Sequence, residues 1–268
     1  FISRLTNRGD HVYDPFMGRG TTPIAAFLEH RRPLGNDINP LSVAIVTPRL
    51  NPPELSDIIM RLDSLDLEHP VERYPALTTF FHPHTLGQLI ALKEYFLARE
   101  SAGRLDAVDR WIRMVAMNRL TGHSDGFFSV YSLPPNQAVS IKAQRSINKS
   151  RNQTPPPKDI LPRILRRSKS LLRDWSALTV DRKQRNVDPL LTTQDARHAT
   201  VIPTDSTQLV VTSPPFLNVV NYQADNWMRC WFLGIDSSQV KITQTANPTD
   251  WQAFMTSTLQ DLHRIVRP

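Results

Sequence analysis

The chain has 268 residues, 40% of them hydrophobic, with 32 Lys/Arg against 25 Asp/Glu and a pI of about 9.8. That length suffices for one α/β domain with a sizeable insertion, and no apolar run reaches the roughly 20 residues of a membrane helix. A single cysteine, Cys230, excludes an internal disulfide and a multi-cysteine metal centre, and fits a reducing, cytoplasmic setting.

The positive charge is concentrated. Residues 140–185 carry 13 Lys/Arg and 3 Asp, a net +10, while the remainder is net −3. An anionic partner is expected, although a basic helix also serves as a plain solvated face. The chain begins at Phe1 and stops at Arg267-Pro268; sequence is expected to continue on both sides.

In chain order, His11-Val12-Tyr13-Asp14 reads as a short strand, Thr21 to His30 as a helix, and Pro33 to Asp37 as a second strand. This β-α-β unit favours a parallel sheet. Beyond Pro40 the period changes. Helices are expected at Glu54–Leu67, Thr85–Arg99 and Arg104–Leu120, with Lys93 a polar exception on the apolar side of the second. Thr121–Pro157, with its Pro134-Pro135 and Pro155-Pro156-Pro157, reads as a loop. Asp159 then caps a helix whose apolar side carries Ile160, Ile164, Leu165, Ser168, Leu171, Leu172 and Trp175. Strands return near Val201-Ile202 and Gln208–Thr212, where Leu209-Val210-Val211 suits a buried parallel strand. Tyr222–Leu233 and Trp251–Val266 read as closing helices.

Three segments carry chemistry. In Asp14-Pro15-Phe16-Met17-Gly18-Arg19-Gly20-Thr21-Thr22 a strand ends, two glycines turn and a helix begins. Glycines let a backbone approach a nucleotide-like ligand at the carboxyl end of a sheet. Pro23 stands where a dinucleotide fingerprint needs its third glycine, and Thr21 where a phosphate loop needs lysine. Asp37, in Asn36-Asp37-Ile38-Asn39-Pro40, lies where an acid can accept from a ribose diol; it suits a turn or helix cap as well. In Thr212-Ser213-Pro214-Pro215-Phe216, two prolines fix a rigid turn. Ser213 and the Pro214 carbonyl can face one amino group as paired acceptors, and Phe216 offers a face for stacking a base. A Pro-Pro pair also ends strands that have no such role, and Pro134-Pro135 is a second instance.

Asp14-Pro15-Phe16-x-Gly18-x-Gly20-Thr21-Thr22 together with Ser213-Pro214-Pro215-Phe216 resembles the DNA amino-methyltransferases of restriction–modification type. The first segment is similar to their S-adenosyl-L-methionine loop. The second is similar to their catalytic tetrapeptide, usually Ser-Pro-Pro-Tyr in N4-cytosine enzymes and Asp-Pro-Pro-Tyr in many N6-adenine enzymes. Phe216 departs from the common tyrosine, which keeps stacking and removes any role for a hydroxyl. The resemblance covers about residues 1–45 and 190–268. It implies a Rossmann-like class I methyltransferase sheet from 1–50 and 190–268, with a mainly helical, basic insertion at 51–189 for target recognition. It implies S-adenosyl-L-methionine held by Asp14, Pro15, Phe16, Gly18, Gly20, Thr21, Thr22, Asp37, Ile38, Asp195 and Ala196, with Asp195 meeting the adenine. It also implies a flipped cytosine beside Ser213, Pro214, Pro215 and Phe216, duplex DNA as partner and a cognate restriction endonuclease.

Lys142, Arg145, Lys149, Arg151, Arg166, Arg167 and Lys169 are the expected phosphate contacts. Asn118–Ser124 and Phe127–Tyr131 either line a base channel or pack the insertion; Asn218, Asn221 and Tyr222 fall near the base. A C5-cytosine enzyme needs a Pro-Cys nucleophile; Arg229-Cys230-Trp231 lacks it, and Cys230 suits a buried apolar site. His82-Pro83-His84 is a helix-entry turn rather than a metal site. Two alternatives stay open: the same chemistry on N6 of adenine in DNA or on an RNA amino group, and a catalytically silent nucleic-acid-binding module.

Overall fold

The computed structural model describes residues 1–67, 74–133, 137–177, 189–216, 222–240 and 245–268. In chain order the elements are α1 (Ile2–Leu5), β1 (His11–Asp14), α2 (Thr21–Leu28), β2 (Arg32–Asn36), α3 (Pro40–Leu50), α4 (Leu55–Asp63), a 3-10 turn (Pro75–Thr79) and α5 (Pro83–Ser101). They continue with α6 (Ala107–Met117), α7 (Ile141–Ser150), α8 (Ile160–Ala177), β3 (Leu190–Thr192), β4 (Leu209–Val210), α9 (Tyr222–Leu233) and α10 (Pro248–Ile265). The chain divides into two compact units. One holds Phe1–Asn51, Thr179–Asn221 and Ser238–Pro268, the other Pro52–Leu178 and Tyr222–Ser237.

The first unit is α/β. Its four described strands are all parallel, in the order β3-β2-β1-β4. Strand side chains alternate between faces, and β1 shows it. Tyr13 packs with Leu34, Ala199, Ile202, Leu262 and Ile265, while Val12 packs with Ile2, Ala26, Leu209 and Val211. α10 therefore covers one face of the sheet, and α1 with α2 the other.

Four expectations change here. Val201-Ile202 is not a strand but a turn under α10. Arg264 donates to the carbonyls of Ile202 and Ala199 at 2.9 and 3.2 Å, and Asp261 accepts from Ala199 N at 2.9 Å. Leu209-Val210-Val211 is only half-buried, because β4 pairs with β1 alone among the described strands. Pro40–Leu50, where only a change of period was noted, is a helix. Asn39 caps it by accepting from Leu41 N at 3.0 Å, and Pro40 occupies its first turn. β3, absent from the expected elements, supplies the outer strand beside β2.

The second unit is helical and also holds Tyr222–Ser237, which the expected boundaries gave to the catalytic domain. Its core includes Phe80, Phe81, Leu86, Leu89, Ile90, Trp111, Ile112, Phe128 and Phe232, all buried. Ser168 lies on the apolar side of α8 because its hydroxyl accepts from Trp111 Nε1 at 3.0 Å. The stretch 121–157 is not all loop. Ser140 accepts from Ala143 N and starts α7, whose Gln144 donates to Tyr131 O at 2.9 Å. Cys230 is buried, and burial raises its thiol pKa. His82 caps α5 through Nδ1, the helix-entry role expected of it. Lys93 is buried with its ammonium about 6 Å from the rings of Tyr74 and Trp231, at 6.0 and 5.9 Å. Among the described residues no helix is long and apolar enough to cross a membrane.

Fully buried Asp109 anchors this unit. Its carboxylate accepts from Arg61, from Arg99 Nε at 2.5 Å and from Tyr95 at 3.2 Å, and Arg61 is held above its ordinary pKa by Asp106 and Asp109. Removing one partner of such a network strands the others. Asp109→Ala is expected to cost about 3–5 kcal/mol, read as a lower urea midpoint; an unchanged midpoint would show the network to be dispensable.

Candidate functional site

The first unit gathers its candidate residues at one edge. β1 ends at Asp14, β2 at Asn36, β3 at Thr192 and β4 at Val210. The strands are parallel, so the loops that follow all emerge at the carboxyl edge. These are Asp14–Gly20, Asp37–Asn39, Gln194–Arg197 and Thr212–Phe216. The chain moves outward from β1 through β2 to β3, then returns to the far side of β1 as β4. The sheet thus reverses between β1 and β4, the position where parallel sheets open a ligand crevice. The glycine loop and the Ser-Pro-Pro-Phe loop flank that reversal.

The Asp14 carboxylate joins them. Oδ1 accepts from Phe16 N at 3.0 Å and from Thr212 Oγ1 at 2.6 Å, and Thr22 adds a side-chain hydrogen bond. Burial pushes the Asp14 pKa up, these donors pull it down, and the charge on Asp37 adds to the rise. Gly20 caps α2 at φ 83°, and a Cβ there would meet Val46 Cγ1 at 2.8 Å; glycine is required on both counts. Gly18, at φ 48°, meets only Phe16 O at 3.9 Å, so its outer side is open. Pro15 and Met17 are buried, Phe16 half-buried and Thr21 exposed.

Asp37 is bonded on both oxygens. Oδ2 accepts from Gly18 N and Oδ1 from Asn39 N, each at 2.9 Å, with a further bond from Ser42. It is thus both a turn former and a clasp on the glycine loop. Burial again pushes its pKa up. Ile38 is half-buried beside it. Asp195 is bridged by Arg197 Nε and Nη2 at 2.9 and 2.5 Å, which holds its carboxyl below the usual range; Ala196 is buried. The Arg197 guanidinium lies 5.6 Å from the Phe254 ring, whose centroid is 5.9 Å from that of Phe16. These contacts run from Asp195 to the glycine loop.

The tetrapeptide is presented outward. Ser213 is exposed, Pro214 and Pro215 half-buried, and Phe216 is 65% exposed. An aromatic ring so exposed is free to stack on a planar ligand. Trp251 Nε1 donates to Pro215 O at 2.9 Å and ties this loop to α10.

Three further residues contribute to this edge with little local signal in the sequence. Trp251 looked like the start of an ordinary amphipathic helix. Asn36 is buried, donates to Gln194 O at 2.9 Å and accepts from Gln194 N and Thr192 Oγ1 at 2.9 and 2.7 Å. Arg197 is an exposed cation outside the three motif segments. A polar residue at a strand end was the available signal for Asn36; Trp251 and Arg197 had none.

In the helical unit, Lys142, Arg145 and Lys149 are exposed on α7 at helical spacing. Arg151 stacks 3.8 Å from the Tyr131 ring centroid. Arg166 and Lys169 are exposed on α8, and Arg167 is half-buried. Lys158, by contrast, is buried and donates to the carbonyls of Phe127 and Ser129 at 2.8 Å each, so it serves the fold. Leu120–Gly122 and Phe127–Val130 are buried, as packing requires. Pro134-Pro135, Asn218, Asn221, Arg182, Lys183 and Arg185, with the side chain of Tyr222, lie outside the described residues. Among the described residues no three His, Cys, Asp or Glu side chains group as metal ligands.

Thr212→Val tests the junction. The Thr212 hydroxyl favours ionised Asp14, so its loss raises the Asp14 pKa further. The expected cost, about 1 kcal/mol, is present where Asp14 is ionised and shrinks as pH falls through its pKa. Carboxyl NMR titration and denaturation at several pH values read both; an unmoved Asp14 midpoint would remove the coupling.

Compared with known proteins, the chain matches no family model, no curated protein and no solved structure.

Proposed function

We propose that this chain is an S-adenosyl-L-methionine-dependent methyltransferase of the Rossmann-like class I fold, acting on the exocyclic N4 of cytosine in DNA. One observation carries the reading: the glycine loop and the Ser-Pro-Pro-Phe loop flank the sheet reversal and share the Asp14 carboxylate. Two further features support it. The open side of Gly18 leaves backbone accessible to a nucleoside, and Asp37 keeps a lone pair beyond its bonds from Gly18 N, Asn39 N and Ser42 for a ribose hydroxyl. The donor set thus fits an adenosyl group. When bound, S-adenosyl-L-methionine supplies an electrophilic methyl group.

The residues of the chain supply the rest. A base amine is a weak nucleophile because its lone pair is delocalised into the ring. As its nitrogen becomes tetrahedral it gains positive charge, and acceptors aimed at its N–H bonds stabilise that charge. Ser213 Oγ and the Pro214 carbonyl take that role, and Phe216 stacks on the flipped base. Asp14 and Trp251 hold the loop in place. No covalent enzyme intermediate is required, in keeping with a buried Cys230. Exposed cations of the helical unit contact the DNA backbone, and a cognate restriction endonuclease in the cytoplasm is the biological setting.

The test is transfer of labelled methyl from S-adenosyl-L-methionine to duplex DNA, with nucleoside mass spectrometry of the product. N4-methylcytosine is expected; N6-methyladenine would move the assignment to the other amine, and methylation of RNA alone would move it to that polymer. Ser213→Ala is expected to lower transfer at least about 100-fold while calorimetric cofactor binding persists. Unchanged methylation in that variant would strip Ser213 of its role, and absence of cofactor binding in the wild type would leave a nucleic-acid-binding module.

A further inference from the structure

Two guanidinium groups, of Arg119 and Arg166, meet in the helical unit beside a glycine, the first of them on an aromatic support, and Arg167 is near enough for its charge to act on Arg119. Arg119 follows the end of α6 and is half-buried. Its guanidinium carbon lies 4.8 Å from the centroid of the buried Phe127 ring. Phe128 N donates to Arg119 O at 2.8 Å, so ring and guanidinium come from opposite arms of one turn. α8 grips that turn. Arg163 Nε and Nη2 reach the Asp125 carbonyl and carboxylate at 3.0 Å each, and Lys158 holds the Phe127 carbonyl. Arg166 is presented from α8 beside Arg119, and the charge of Arg167, on the same helix, acts on Arg119 as well. Arg119 Nη1 and Arg166 Nη2 lie 3.4 and 3.9 Å from one point, the position that a Cβ on Gly126 would take.

This convergence is unfavourable by itself. Burial and then the charges of Arg167 and Arg166 hold the Arg119 pKa below its ordinary value. Among the described residues, the one carboxylate ion-paired with any of the three is Asp125. It is 4.0 Å from Arg166 and already bonded to Arg163. Like charges gathered with so little compensation are stabilised by a bound anion. The planar fork of arginine matches phosphate oxygens, and stacking on a ring fixes its plane in advance. Gly126 adds no side chain of its own between two of the guanidinium groups, where the Ser124 hydroxyl lies 3.9 Å from the same point.

We infer that Arg119, Arg166 and Arg167 form a clamp for a backbone phosphodiester, with Arg119 on Phe127 as its fixed member and Gly126 as its open floor. The inference rests on a nucleic-acid partner for this chain, and it adds Arg119, which lies outside the basic segment. It assigns the clamp no part in choosing a base, since phosphate contacts position a duplex without reading its sequence.

The experiment is fluorescence anisotropy of the full chain with labelled duplex DNA and, in parallel, single-stranded RNA of equal length, from about 50 to 200 mM salt. Arg119→Gln is expected to weaken binding about tenfold and to lower the slope of log K against log salt by about 1, for any sequence. Arg166→Gln with Arg167→Gln, at α8 positions with no part in the core, is expected to lower it by about 2. Arg119→Lys keeps the charge and hence the slope but loses the stacked fork. A lowered slope on both polymers or on one supports the clamp and names the polymer held. Unchanged affinity and slope in Arg119→Gln and in the double variant overturn the clamp, as does a wild type that binds neither polymer. Methyl transfer and cofactor binding are measured on the same preparations. Transfer with unchanged slopes defeats the clamp alone; lowered slopes without cofactor binding defeat the methyltransferase reading alone.

Discussion

The carboxyl edge of the sheet depends on Asp14. A buried carboxylate is costly unless donors surround it, and here the donors come from separate segments: Phe16 N, Thr22 and Thr212 Oγ1. Satisfying one charge therefore places the glycine loop, the start of α2 and the loop after β4 with respect to one another. Asp37 repeats the device one strand away with Gly18 N, Asn39 N and Ser42. The two acids also raise each other's cost, since Asp37 pushes Asp14 upward. With one acid buried and the other half-buried, this edge carries negative charge wherever both are ionised.

The two units are stabilised differently. In the first, short strands are joined by loops whose polar side chains reach across to neighbouring loops, as Asn36 does to Gln194 and Trp251 to Pro215. In the second, long amphipathic helices bury aromatic and aliphatic side chains, and ion pairs such as those of Asp109 set how the helices meet. A change to a loop residue in the first should therefore disturb the site before it disturbs the fold. A change to Asp109 should do the opposite.

This contrast decides what was legible beforehand. β1, α2 and β2 were readable because period-2 and period-3.6 patterns adjoin there across two glycines. α5, α6 and α8 were readable from apolar spacing alone. α7 escaped because polar contacts hold it: Gln144 is its one fully buried side chain, and Asn148 reaches Thr79 O at 2.8 Å. β3 escaped because three residues show no period, and Val201-Ile202 misled because two apolar residues can be buried under a helix as well as in a sheet. At the site, the motif residues lie together at one edge, whereas Trp251 is 36 residues from its partner Pro215. A long-range hydrogen bond by an unremarkable side chain leaves no trace in local pattern.

Charge was the least faithful signal. The segment 140–185 is strongly basic, yet its described cations divide by job. Lys158 is buried against carbonyls, Arg163 is bound to Asp125 and Arg151 lies on Tyr131. Lys142, Arg145, Lys149, Arg166 and Lys169 face solvent. Counting charge overstates the solvent-facing positive charge by the cations that the fold consumes, and it misses a cation such as Arg119 that the fold brings beside Arg166 from outside the segment. Long-range attraction follows the sum of all these charges, whereas contact with a phosphate requires a donor already held in place. Exposed lysines on α7 suit the first purpose, and a guanidinium set on a buried ring suits the second.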